Sequence, residues 1–222
     1  RTVLAEIPYV HRISLLQEKD GVYLAAGKLC KSKTDQDDWS TSGTMEIGKY
    51  DPTKDKVEME QIYDGVTKHH AMFVARNKEG FDDLYFGGTE GVFRAICKDG
   101  EWNVEHLLSV PISDIVYMDL DGDGAGMERM VEIPLSFGHV LWGGQFFGRP
   151  ALITGSRAGD KSLRKFTFTC DGEGRTQIEE ETVLDEGQAP AQIFVTGDAK
   201  ESIVVAANHG VATMAEYRCT ED

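Results

Sequence analysis

Little in this 222-residue chain recurs with the 3.6-residue period of an amphipathic helix, which argues against a helical or α/β fold. No run approaches the ~18 apolar residues that a membrane-crossing helix needs. No charged-then-apolar start resembles a signal peptide. Cysteine is scarce, and Cys30, Cys97, Cys170 and Cys219 show neither CxxC pairing nor metal-ligand spacing. They read as reduced, mostly buried thiols of a cytoplasmic protein, with a bridge from Cys170 to Cys219 as the alternative in a secreted one. Basic charge is short as well: 23 Lys and Arg stand against 38 Asp and Glu, a net charge of -15. Such a field repels nucleic acid and anionic membranes, so neither is expected as a partner, and a polyanionic ligand would need a local basic pocket.

Short runs rich in β-branched and aromatic residues are present instead, separated by turn formers such as Lys19-Asp20-Gly21, Lys98-Asp99-Gly100 and Asp121-Gly122-Asp123-Gly124. They predict an all-β fold with strands near 12–17, 22–29, 44–50, 57–63, 71–76, 83–87, 92–97 and 102–110. The series continues near 115–120, 129–133, 140–146, 151–154, 163–169, 177–184, 193–196, 203–207 and 212–217. Grouped by four, the strands form a self-similar unit. Units start at His11, His70, Asp114, His139 and Gln192, that is 59, 44, 25 and 53 residues apart. The expectation is therefore one β-propeller domain of about five blades over residues 1–222. Its third blade is incomplete, and residues 3–8 close the ring as the outer strand of the last blade.

In that arrangement the starts of the innermost strands, and the loops joining each second strand to its third, share one end of the fold. His11, His70 and His139, supported by Gln192 or Asp114, would then hold a divalent metal, Zn²⁺ or Mn²⁺, on the channel axis. The competing reading is a polar channel lined by histidines without metal. In the loops, Asp37, Trp39 and Glu90 are candidate sugar-binding residues, since an indole offers an apolar face and carboxylates accept from hydroxyls. Asp38, Arg157 and His209 are candidate catalytic groups: two proton acceptors and a carboxylate or keto clamp. Asp119, Asp121 and Asp123, followed by Glu128, space oxygens as a structural Ca²⁺ loop does, although position twelve of that loop is Met130.

The Asp119-to-Gly124 loop between two predicted strands resembles the FG-GAP/VCBS class of propeller repeats. Tyr9-Val10-His11-Arg12, Asp37-Asp38-Trp39-Ser40, Phe137-Gly138-His139-Val140-Leu141-Trp142-Gly143-Gly144 and Val205-Ala206-Ala207-Asn208 resemble a bacterial group of propellers. That group is similar to the propeller part of aldos-2-ulose dehydratase. The resemblance implies a metal-dependent lyase, dehydratase or isomerase acting on a small carbohydrate. A non-catalytic, lectin-like propeller is the alternative. Loops that differ in length and chemistry from unit to unit favour a single catalytic site over repeated sugar pockets.

Overall fold

A computed structural model describes residues 2–117, 133, 135–170 and 176–220. Among the described residues, fifteen strands fall into four antiparallel meanders. The first sheet is β1 (Val10–Glu18), β2 (Gly21–Lys28), β3 (Gly43–Tyr50) and β4 (Glu60–Val66). The second is β5 (Ala71–Arg76), β6 (Asp82–Gly88), β7 (Gly91–Lys98) and β8 (Glu101–Leu108). The third is β9 (Gly138–Phe146), β10 (Arg149–Ser156), β11 (Leu163–Cys170) and β12 (Thr176–Asp185). The last has three strands, β13 (Pro190–Gly197), β14 (Glu201–Asn208) and β15 (Thr213–Thr220). The chain divides into two compact units, Arg1–Ile115 and Val116–Asp222, each with two of these sheets.

Local chemistry explains the hairpins. Asp99 and Gly100 both take positive φ, 53° and 84°, between β7 and β8, as a two-residue turn matched to strand twist requires. Phe147 and Gly148 do the same between β9 and β10. The middle strands are the apolar ones: every residue of β6 is buried, while β8 mixes half-buried and exposed positions along an outer strand. In the first unit Leu16, Met45, Leu84, Phe86 and Phe93 form one core across both sheets. Phe86 and Phe93 stack there with ring centroids 5.5 Å apart. In the second unit Val140, Ile153, Leu163 and Val204 join β9, β10, β11 and β14 in a second core. Each such side chain contributes about 1.5–3 kcal/mol on burial. Cys30, Cys97 and Cys219 are free thiols.

The four meanders correspond to the four long repeat units of the sequence, but the expected closed five-bladed propeller does not form. Among the described residues the four sheets are separate and none is closed. Residues 3–8, expected to pair with β15, lie instead on the first unit, where the Val57 N–H donates to the Leu4 carbonyl at 2.8 Å. A cavity of about 420 Å³ sits between residues 3–7 and Glu46, Lys56, Val57 and Met59. The last sheet consequently keeps three strands. Of the strand expected at 115–120, the described residues 115–117 are not in a strand and the rest lie outside the described residues. So do the strand expected at 129–133, but for residue 133, and the whole Ca²⁺ loop with Asp119, Asp121, Asp123 and Glu128.

Candidate functional site

Every sheet is entered through a non-glycine residue in the left-handed region: Tyr9, Lys68, Phe137 and Ala189, with φ of 58°, 55°, 59° and 54°. Backbone bonds hold these entries. The carbonyls of Tyr9, Phe137 and Ala189 accept from the N–H groups of Leu29, Arg157 and His209 at 2.9, 2.9 and 3.1 Å. In the second sheet Thr67, one residue earlier, accepts from Thr89 at 2.9 Å. Two residues after each left-handed position stand His11, His70, His139 and Ala191. In three sheets that residue is the extra one of a β-bulge. The ladders skip His11 between Val10 and Arg12, His139 between Gly138 and Val140, and Ala191 between Pro190 and Gln192. A bulge re-aims one side chain out of the strand's alternation. His11 and His139 are thus equivalent in backbone, with Ala191 in the same place, while His70 shares the two-residue offset but stands just before β5. Gln192 is a regular ladder residue opposite Ala207.

In the first unit the bulge brings several polar groups together. The His11 and His70 rings lie 4.5 Å apart, tilted by 49°. Arg12 Nε donates to the His70 carbonyl at 2.6 Å, and Arg12 Nη2 lies 3.1 Å from His70 Nδ1. The same Nδ1 lies 2.8 Å from the Ser113 carbonyl. A guanidinium only donates and a carbonyl only accepts, so the shorter contact makes Nδ1 the protonated nitrogen and puts the lone pair on Nε2. Burial, then the Arg12 charge, lowers the pKa of His70, which keeps it neutral at neutral pH. Asp114 is pushed up by burial, against the opposing pull of Arg12 and His70. His69 lies beneath this surface, fully buried, with Nδ1 3.3 Å from the Thr44 carbonyl.

The second unit makes a related pair with the same tautomer, although here the guanidinium meets the other ring nitrogen. Arg157 Nη1 donates to His139 Nε2 at 3.1 Å, so the ring proton is on Nδ1. The guanidinium lies 5.8 Å from the centroid of Phe137, an exposed ring that also meets the His139 ring edge-on. A lone pair that accepts from a guanidinium is engaged, so Arg157 stands where a metal on His139 Nε2 would have to be. Among the described residues, no group of three or more His, Cys, Asp or Glu side chains is arranged to hold a metal ion.

The remaining sequence candidates lie in the loops around these entries. Asp38 accepts from the backbone and hydroxyl of Thr34, at 2.9 and 3.0 Å, and of Ser40, at 2.9 and 2.6 Å. Those bonds, the Ser40 hydroxyl foremost, hold its carboxyl far below the usual range and make it the organiser of the loop. Asp37 is exposed, its N–H donating to Asp35 at 2.9 Å. Trp39 has Lys33 Nζ 3.2 Å from its ring centroid and Lys68 Nζ 5.2 Å away. Glu90 accepts from the Thr67 N–H at 2.7 Å, bracing the entry to β5. His209 is exposed beside Asn208, and its N–H belongs to the Ala189 bond already described.

Arg12 is the residue that the motif reading passed over. Its signal was available: an arginine directly after His11 in a chain so rich in acid. Five described arginines make ion pairs: Arg76 with Asp82, Arg94 with Asp83, Arg149 with Glu179, Arg164 with Glu181 and Arg218 with Glu216. Arg12 and Arg157 are the two described arginines that do not, and each meets an imidazole instead. No protein-family model matches the chain, and no curated protein matches it.

Proposed function

We propose that this chain binds a small carboxylate-bearing carbohydrate and that a histidine beside the bound acid moves a proton on it. The observation that carries this reading is the state of Arg12 and Arg157. In a protein of net charge -15, two guanidiniums make no ion pair among the described residues, Arg12 feeling the buried Asp114 only at longer range, and both sit beside imidazoles at the sheet entries. A planar guanidinium is matched to a carboxylate in two-pronged geometry. In the first unit the substrate carboxylate would lie on Arg12. His70 Nε2 would take the proton from the carbon next to it, and the C–H electrons would pass into an enolate held by the guanidinium. Return of that proton to the β-hydroxyl expels water and completes a dehydration. Return to carbon completes an isomerisation.

Calorimetric titration with D-glucuronate and D-gluconate, and with D-glucose as the neutral control, tests the binding step. The acids are expected to bind and glucose is not. Arg12→Lys should weaken binding in the first unit by about tenfold or more, since an ammonium keeps the charge and loses the fork. Proton NMR in D₂O should then show exchange of the hydrogen next to the carboxylate, lost in His70→Gln. Equal heats for glucose and the acids would overturn the proposal. Binding without exchange would leave the lectin-like alternative standing.

A further inference from the structure

At the far end of β1 from Arg12, Glu18 is 6% exposed, and two other carboxylates, Asp82 and Asp83 on β6, are buried with it. Charge is matched for those two. Asp82 pairs with Arg76 at 3.1 Å and also accepts from the Gln17 N–H at 2.7 Å. Asp83 pairs with Arg94 and accepts from Asn77 Nδ2 at 3.0 Å. Glu18 has no such partner among the described residues. The Asp82 backbone N–H donates to its carboxyl, while Oε1 is buried with nothing to bond. The groups facing it from the surrounding elements are Asp20 in the β1–β2 turn, Asp82 and Asp83 on β6, Tyr23 on β2 and Cys97 on β7. None of these is a cation.

An ionised carboxylate buried without a cation, next to two others, costs several kcal/mol, and the group takes up a proton instead. We infer that Glu18 carries a proton in the folded chain and that losing it loosens the contact between β1 and β6, a proton-sensitive clasp within the first unit. Burial, reinforced by Asp82, Asp83 and Asp20, raises the pKa of Glu18 from the ordinary 4.5 to about 7. The sign follows. The folded state holds this proton more tightly than the unfolded chain, so the contribution of Glu18 to stability is greatest in mild acid and falls as pH rises from 4.5 through about 7. The neighbouring thiol of Cys97 is pushed up by burial and then by Glu18, in keeping with one shared anionic environment.

Carbon-detected NMR of the wild-type chain, with its glutamate carboxyls labelled, reads this directly. The Glu18 resonance should titrate near neutrality, apart from the exposed glutamates. Urea unfolding of wild type and Glu18→Gln at about pH 5 and about pH 8 gives the second reading. The neutral amide should match or trail wild type at the lower pH and resist more urea than wild type at the higher. A Glu18 midpoint near that of the exposed glutamates would overturn the inference. So would a Glu18→Gln chain weakened equally at both pH values.

Discussion

Gly27 and His69 are in direct contact across the first unit: a Cβ on Gly27 would stand 2.7 Å from His69 Cε1 and 3.0 Å from Nε2. The ring has nowhere to retreat, since it is fully buried and its centroid lies 5.5 Å from that of Phe86. Gly27→Ala should therefore cost about 1–3 kcal/mol, the range for overfilling a packed interior. Denaturant titration should show a lower midpoint with an unchanged slope. A midpoint equal to wild type would mean that the ring can move.

His69 also sets an acid limit. Burial, aided by the nearby charges of His11, Arg12 and His70, lowers its pKa from the ordinary 6.5 to about 4. The unfolded chain binds this proton first, so the contribution of His69 to stability is fully present above 6.5 and is lost as pH falls toward 4. The loss amounts to about 3 kcal/mol. Glu18 contributes in the opposite direction over the same range, so the test is the difference between chains: on going from about pH 7 to about pH 4.5, His69→Gln should fare better relative to wild type. Parallel pH profiles for the two chains would assign the acid sensitivity to another group.

Phe137 offers a test of the sheet entries. It is an aromatic residue at φ 59°, and its side chain is 60% exposed, so little packing offsets the conformation. Phe137→Gly should be neutral to stabilising by up to about 1 kcal/mol, because glycine takes this conformation without a Cβ penalty. Phe137→Val should fall below the glycine variant by about 1–2 kcal/mol, since a branched side chain tolerates positive φ least. Thermal melts of the pair settle the order.

All fifteen described strands were legible in the sequence, because alternating apolar residues and turn formers are local signals. The repeat was legible for the same reason: His11, His70 and His139 each stand two residues after a left-handed position. Gln192 missed that position by a single residue, since the bulge at Ala191 shifts the ladder without changing the hydrophobic pattern. Residues 3–8 look like an outer strand in composition. What decides their place is one backbone bond from Val57, more than fifty residues later in the chain. Arg12 and His70 are joined across a similar separation, and no spacing rule announces that pair. Glu18 was illegible in another way: followed by Lys19, Asp20 and Gly21 it reads as part of a solvated turn, and only the packing of β1 on β6 buries it.

The left-handed entry has a consequence for how this fold can change. Backbone bonds, joined by a bulge in three of the four sheets, fix the conformation, so the side chain at that point is not what holds it. One scaffold position accordingly carries a phenol at Tyr9, an ammonium at Lys68, a plain ring at Phe137 and a methyl at Ala189. Each sheet presents whatever its sequence places there, and the presentation survives the exchange of one chemical group for another. Recognition can drift at these four points while the sheets behind them stay as they are.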